Sequence, residues 1–192
     1  LFSFEDNTTP KPEEILDKRG IFDDYNGKCN YQITTGVVGN FDTEGWGVIK
    51  YTNLTSTGEP GQDVLWVDTD FPLFRLGDVY LMYAEAVARG GEGGDINTAV
   101  GYVNELRDRA YGETPHNKID AAWLTANNYQ NILDERGREL YWEGVRRIDL
   151  IRFGKYTSSS YTWPAKGGVI TGVGVNERYN IFPIPISDIS VN

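Results

Sequence analysis

Carboxylates one helical turn apart are the natural place to look for acid–base chemistry, and Glu135, Glu139 and Glu143 supply three within one short stretch. Residues at i and i+4 share a helix face. Glu139 and Glu143 would then converge, and two carboxylates sharing a site push one pKa up towards the range of a general acid. Glycosidase chemistry would use such a pair. Its surroundings argue against that use. The run Glu135–Tyr156, ERGRELYWEGVRRIDLIRFGKY, holds four acids and five arginines. Glu143 with Arg147, and Asp149 with Arg152, have the spacing of helical ion pairs, and arginine is a permanent cation. Arg136, Glu139, Glu143, Arg147, Asp149 and Arg152 are therefore expected to form a structural ion-pair network, with Arg136, Glu139 and Glu143 buried and paired.

Other catalytic constellations are missing from the sequence. A nucleophilic Ser or Cys usually needs a neighbouring His as base, and the one histidine, His116, sits in a Thr-Pro-His-Asn loop. The one cysteine, Cys29, excludes an intrachain disulfide and a multi-cysteine metal site. No HExxH, CxxC or GxxxxGK[ST] motif occurs, nor a calcium loop. GGEGG at 90–94 lies between two helical patterns, not after a strand as a dinucleotide loop would. The expectation is a protein without catalytic residues, cofactor or metal.

Aromatic residues offer a binding chemistry instead. They make up 13% of the chain, with 12 Tyr and 5 Trp, and Tyr and Trp supply amphipathic contact surface to ligands as well as filling cores. Sugar rings present apolar C–H faces to such side chains. Outside the helical patterns lie Tyr31, Trp46, Tyr51, Trp66, Tyr161 and Trp163; for any one of them core packing is the commoner role. Trp46, Tyr51 and Trp66 are the expected ligand platform. With 28 acidic against 18 basic residues the net charge is −10, which repels nucleic-acid phosphates and anionic lipid headgroups. Neutral glycans suit such a chain.

Two stretches must position these residues. Residues 1–70 are rich in Gly, Asn, Thr and Asp with short extended pieces such as GVIKY at 47–51, and form a possible ligand-facing surface. Residues 71–192 are helical in pattern. Leu73, Leu76, Val79, Tyr80, Tyr83, Ala86 and Val87 have the spacing of an amphipathic helix ended by Gly90–Gly91. Asp95 caps a second helix with Ile96, Ala99, Val100, Val103 and Leu106 on one face, closed by Gly112 and Pro115. A linker over 113–124 leads to a third helix, starting at 125–128 and running through Arg136, Leu140 and Glu143. Gly144 bends the chain into a fourth ending at Gly154, and Pro183 and Pro185 keep the tail IFPIPISDI extended. The hairpin has the look of one tetratricopeptide unit, which alone would leave apolar surface uncovered. At its start, LFSFEDNTTPKPEEIL has neither the basic region nor the apolar core of a signal peptide.

Four ordered motifs then carry a resemblance. Arg75-Leu-Gly-Asp-Val-Tyr-Leu-Met-Tyr-Ala-Glu-Ala resembles the R-x-A-[ED]-x-x-L-x-x-A-E-A signature of SusD/RagB-like outer-membrane lipoproteins. It is followed in the family's order by Asn104–Ala110, by the Glu135–Arg152 run and by Phe182-Pro-Ile-Pro. The resemblance covers about residues 46 to 192. It implies a mainly α protein, a tetratricopeptide-like helical bundle with long irregular loops and a few short strands. It implies capture of an oligosaccharide, or of peptide in one branch, at the surface of the outer membrane, without chemistry, for a TonB-dependent transporter. The family is more than twice this length and is lipid-anchored through an N-terminal cysteine. Cys29 is not in a lipobox, so the chain is expected to be the C-terminal part of such a protein, with the N-terminal portion as partner and the anchor outside this sequence. A peptide- or protein-binding helical-repeat scaffold is the alternative.

Overall fold

The computed structural model describes residues 1–2, 11–31, 43–63, 65–112, 117–163 and 169–190. His116 and Pro115 lie outside them. The architecture is mostly helical, with one two-stranded antiparallel pairing among the described residues. In it β1 (Phe22–Asp23) meets β2 (Gly47–Val48), with Phe22 opposite Val48.

Helix α1 spans Leu76–Ala88. Leu73 and Phe74 precede it in exposed backbone, so the helix starts later than its apolar pattern. Its buried face is Gly77, Leu81, Ala84 and Glu85, while Leu76 and Val79 are exposed. Periodicity weighted by apolar size misplaces this face because the packed side uses small residues and a paired acid. A Cβ on Gly77 would come within 2.8 Å of Glu139 Oε1, so the bare backbone there admits the Glu139 carboxylate. Tyr80, Tyr83 and Val87 do pack against the core, and Tyr80 stacks on Tyr102 at 4.2 Å.

Helix α2 spans Ile96–Tyr111 and follows its sequence pattern closely. The Asp95 carboxylate accepts from the Thr98 amide at 2.6 Å, satisfying an orphan donor of the first turn. Ala99, Val103, Leu106 and Ala110 face inward, and Gly112 ends the helix at φ 80°. Ala99, Val103 and Leu106, together with Leu81, Ala84, Ile119, Leu124 and Ile132, form the main core cluster.

The expected linker contains a helix of its own, α3 (Ala121–Thr125), capped by Asp120. Asn127, Asn128 and Tyr129 then all take left-handed backbone. Asparagine tolerates that region and tyrosine does not, so this kink concentrates strain at Tyr129. Helix α4 (Gln130–Leu140) follows.

The expected continuation of this helix through Glu143 does not occur. Tyr141 is extended, and Trp142 and Gly144 have positive φ before α5 (Arg146–Arg152) begins. The helix stops because its last carbonyls are taken. Lys50 Nζ donates to the carbonyls of Glu139 at 3.0 Å and Tyr141 at 2.9 Å, and Arg75 donates to the Glu139 carbonyl at 2.5 Å. Cations at a helix C-terminus oppose its dipole favourably. The tail also differs from expectation. Residues 182–185 carry no regular secondary structure, and α6 (Ile186–Ser190) is helical after Pro185, whose fixed φ suits a helix start.

Candidate functional site

Glu135 and Glu139 project from one face of α4, and Glu143 joins them from the turn beyond it. The cations that meet them come from separate parts of the chain. Arg19 bridges Glu135 at 2.8 Å and Glu139 at 3.0 Å while also holding Asp17 at 2.6 Å. Arg107 of α2 and Arg138 of α4 both reach Glu135, at 2.8 and 2.7 Å. Arg75, at the residue just before α1, binds Glu139 at 2.5 Å and both oxygens of Glu143 at 2.6 and 2.8 Å. Arg109 also pairs with Glu139, and Lys50 with Glu143 at 2.5 Å.

A second cluster lies where α4 meets α1 and α5. Arg136 is buried and holds Asp149 at 2.8 Å and Asp78 at 2.9 Å. Arg152 bonds Asp149 at 2.7 Å, as its sequence spacing predicts, and also reaches Glu85. Arg147 is the exception. It forms no ion pair among the described residues, donating to the Tyr179 carbonyl at 2.6 Å with its guanidinium 4.1 Å from the Phe182 ring centre. The Glu143–Arg147 pair fails because the turn after Leu140 breaks the helical register between them. Sequence spacing also missed Arg19, Lys50, Arg75, Arg107 and Arg109, because tertiary packing brings them in. Arg75, Arg107 and Arg109 do lie inside motifs that the sequence displays.

The consequence for protonation is direct. Burial pushes Glu139 up, but hydrogen bonds from Arg75, Arg109 and Arg19 outweigh it and hold its pKa down at about 2. Burial likewise acts upward on Glu135 and Glu143 and is likewise outweighed, by Arg19 and Arg138 at the first and by Arg75 and Lys50 at the second. All three are ionised at neutral pH. A carboxylate without a proton cannot protonate a leaving group, so the arrangement suits holding charge in place. Among the described residues no group of His, Cys, Asp and Glu could hold a metal ion.

Beside this network opens a cleft of about 440 Å³, with Glu139 and Glu143 against Lys18, Lys50, Tyr51 and Arg109. Tyr51 is exposed there, its ring 6.5 Å from that of Phe71. The other two expected platform residues are elsewhere. Trp46 is half-buried, donating from Nε1 to the Cys29 carbonyl at 3.2 Å and lying 5.9 Å from Tyr31 and 6.3 Å from Phe22. Trp66 is 75% exposed, its backbone N–H bonded to Asp63 at 3.1 Å. Among the described residues no ring pair joins the three.

The charged motifs also define relationships to known proteins. A family model described as SusD family matches residues 20–192. The chain belongs to the SusD family. It is 42% identical over 161 residues to the starch-binding protein SusD of Bacteroides thetaiotaomicron, covering 84% of this chain and 27% of that protein. Over 83 residues it is 40% identical to the SusD-like protein P25 of Formosa agariphila, covering 43% of this chain and 15% of that one. The chain thus spans about a quarter of its starch-binding relative's length. The SusD-family match contains both charged clusters except Asp17 and Arg19. The mostly helical architecture with its two short strands fits that family. No helix among the described residues is long and apolar enough to cross a membrane.

Proposed function

We propose that the chain is part of a cell-surface protein that captures an oligosaccharide, of starch type or another glycan, and passes it to a TonB-dependent outer-membrane transporter without cleaving it. The observation that carries this is the cleft at Tyr51, where an exposed ring adjoins guanidinium and ammonium donors and every facing carboxylate is held ionised. Such a surface can stack on a sugar face and hydrogen-bond its hydroxyls. Its two lining carboxylates, Glu139 and Glu143, hold no proton to give a glycosidic oxygen. The 42% identity to a starch-binding protein supports the class of ligand. In the same proposal the segment 1–70 supplies the ligand-facing surface through Tyr51 and Trp66, residues 71–192 form the helical scaffold, and the lipid anchor and N-terminal portion lie outside this sequence.

Calorimetric titration with malto-oligosaccharides and a wider glycan panel, on this chain and on a polypeptide of the family's length, tests it. Saturable binding is expected, weakened roughly tenfold by Tyr51→Ala, equivalent to about 1.4 kcal/mol. Flat titrations across the panel with saturable peptide binding would favour the peptide-binding scaffold instead. The exposed side chains of Leu65, Trp66, Val67 and Phe71 give that second reading its footing.

A further inference from the structure

Between α1 and α5 lies a groove of about 700 Å³, lined on its α4 side by Arg136 and distinct from the Tyr51 cleft. Its rim is apolar and uncovered: Leu73 and Phe74 are 81% and 82% exposed, Ile148 is 62% exposed, and Met82 is also exposed. Single exposed apolar residues are ordinary, but four around one depression mark a contact surface. The floor carries the second observation. Glu85 is buried, and both of its arginine partners, Arg89 at 2.8 Å and Arg152, bind the same oxygen, Oε1. Its other oxygen, Oε2, is buried without a hydrogen-bond partner among the described residues. A buried acceptor left unpaired is costly, and native structures seldom leave one so.

We propose that this groove is the docking surface for a segment of the longer polypeptide that SusD relatives possess. That segment lays apolar side chains on Leu73, Phe74, Met82 and Ile148 and brings an N–H or cationic donor to Glu85 Oε2. The proposal rests on family membership and is independent of the ligand. Two observations choose this occupant. The matched region is 27% of the starch-binding relative, which leaves most of a family polypeptide to be packed somewhere. A second copy of this chain would instead bring another net charge of −10 against the first, an unfavourable encounter over a surface of this kind.

Met82→Cys and Ile148→Cys, each labelled with a maleimide, test the proposal in this chain and in a polypeptide of the family's length. Cys29 is buried, and labelling of each unsubstituted protein is subtracted. Both positions should label readily in the chain alone and at least roughly tenfold more slowly in the longer polypeptide, as for sites reached only by local opening. Gly101→Cys, on the exposed side of α2, should label equally in both. Equal rates at positions 82 and 148 in the two proteins overturn the proposal. So does protection in the chain alone that grows with its concentration, which would assign the groove to a second copy.

Discussion

Glu139 sits among the guanidinium groups of Arg19, Arg75 and Arg109, and its environment decides between chemistry and scaffolding. Removing its charge leaves Arg19, which is nearly buried, and the half-buried Arg75 facing a neutral amide. Breaking one partner of a buried pair is strongly destabilising, so Glu139→Gln should lower unfolding stability by about 3 kcal/mol in urea titration. A change within about 0.5 kcal/mol, the range of ordinary surface substitutions, would contradict the structural role. The pH dependence follows from the same contacts. The folded-state pKa of about 2 lies below the ordinary 4.5, so this carboxylate's contribution is fully present above pH 4.5 and is lost as pH falls through about 2. The gap corresponds to about 3 kcal/mol. Glu135 and Glu143 shift in the same direction and add to the loss. Urea midpoints should therefore fall steeply on acidification below pH 4.5; a flat profile down to about pH 2 would contradict these pairings.

Among the elements, α2 was the most legible in the sequence, because its cap, apolar face and terminal glycine all agree. In α1 the helix was legible but its inward face was not. Gly77 and Ala84 pack where larger side chains cannot, and Glu85 is buried because Arg89 and Arg152 neutralise it. Leu81→Ala should cost about 3 kcal/mol, as for a fully buried leucine. Leu76→Ala, at a position that periodicity alone would bury, should change stability by less than about 0.5 kcal/mol in this chain. Equal losses in thermal or urea unfolding would restore the face expected from the pattern. Helix α3, the left-handed kink at Asn127–Tyr129 and the end of α4 were not legible. The end of α4 depends on a tertiary partner, Lys50, which takes the carbonyls at its C-terminus from far away in sequence. The site was legible in part: Arg136 and Glu139 are buried and paired, whereas Glu143 meets Arg75 and Lys50 and Arg147 turns to the tail. Arg147→Ala should accelerate amide exchange over 177–182 while leaving exchange in α2 unchanged.

At the scale of the whole molecule, the charged clusters join the parts. Arg19 and Lys50, from the first third of the chain, are tied to α4, and Arg75 and Arg107 tie α1 and α2 to the same acids. In the proposed function, the cationic groups and the exposed Tyr51 ring at one cleft receive an uncharged, hydroxyl-rich ligand. The most direct measurement is calorimetric titration of starch oligosaccharides into a polypeptide of the family's length, with the sugar recovered and its chain length determined. The prediction is saturable binding that Tyr51→Ala weakens, with every oligosaccharide recovered intact. Shortened oligosaccharides, produced by the parent protein and lost in a folded Glu139→Gln variant, would contradict it.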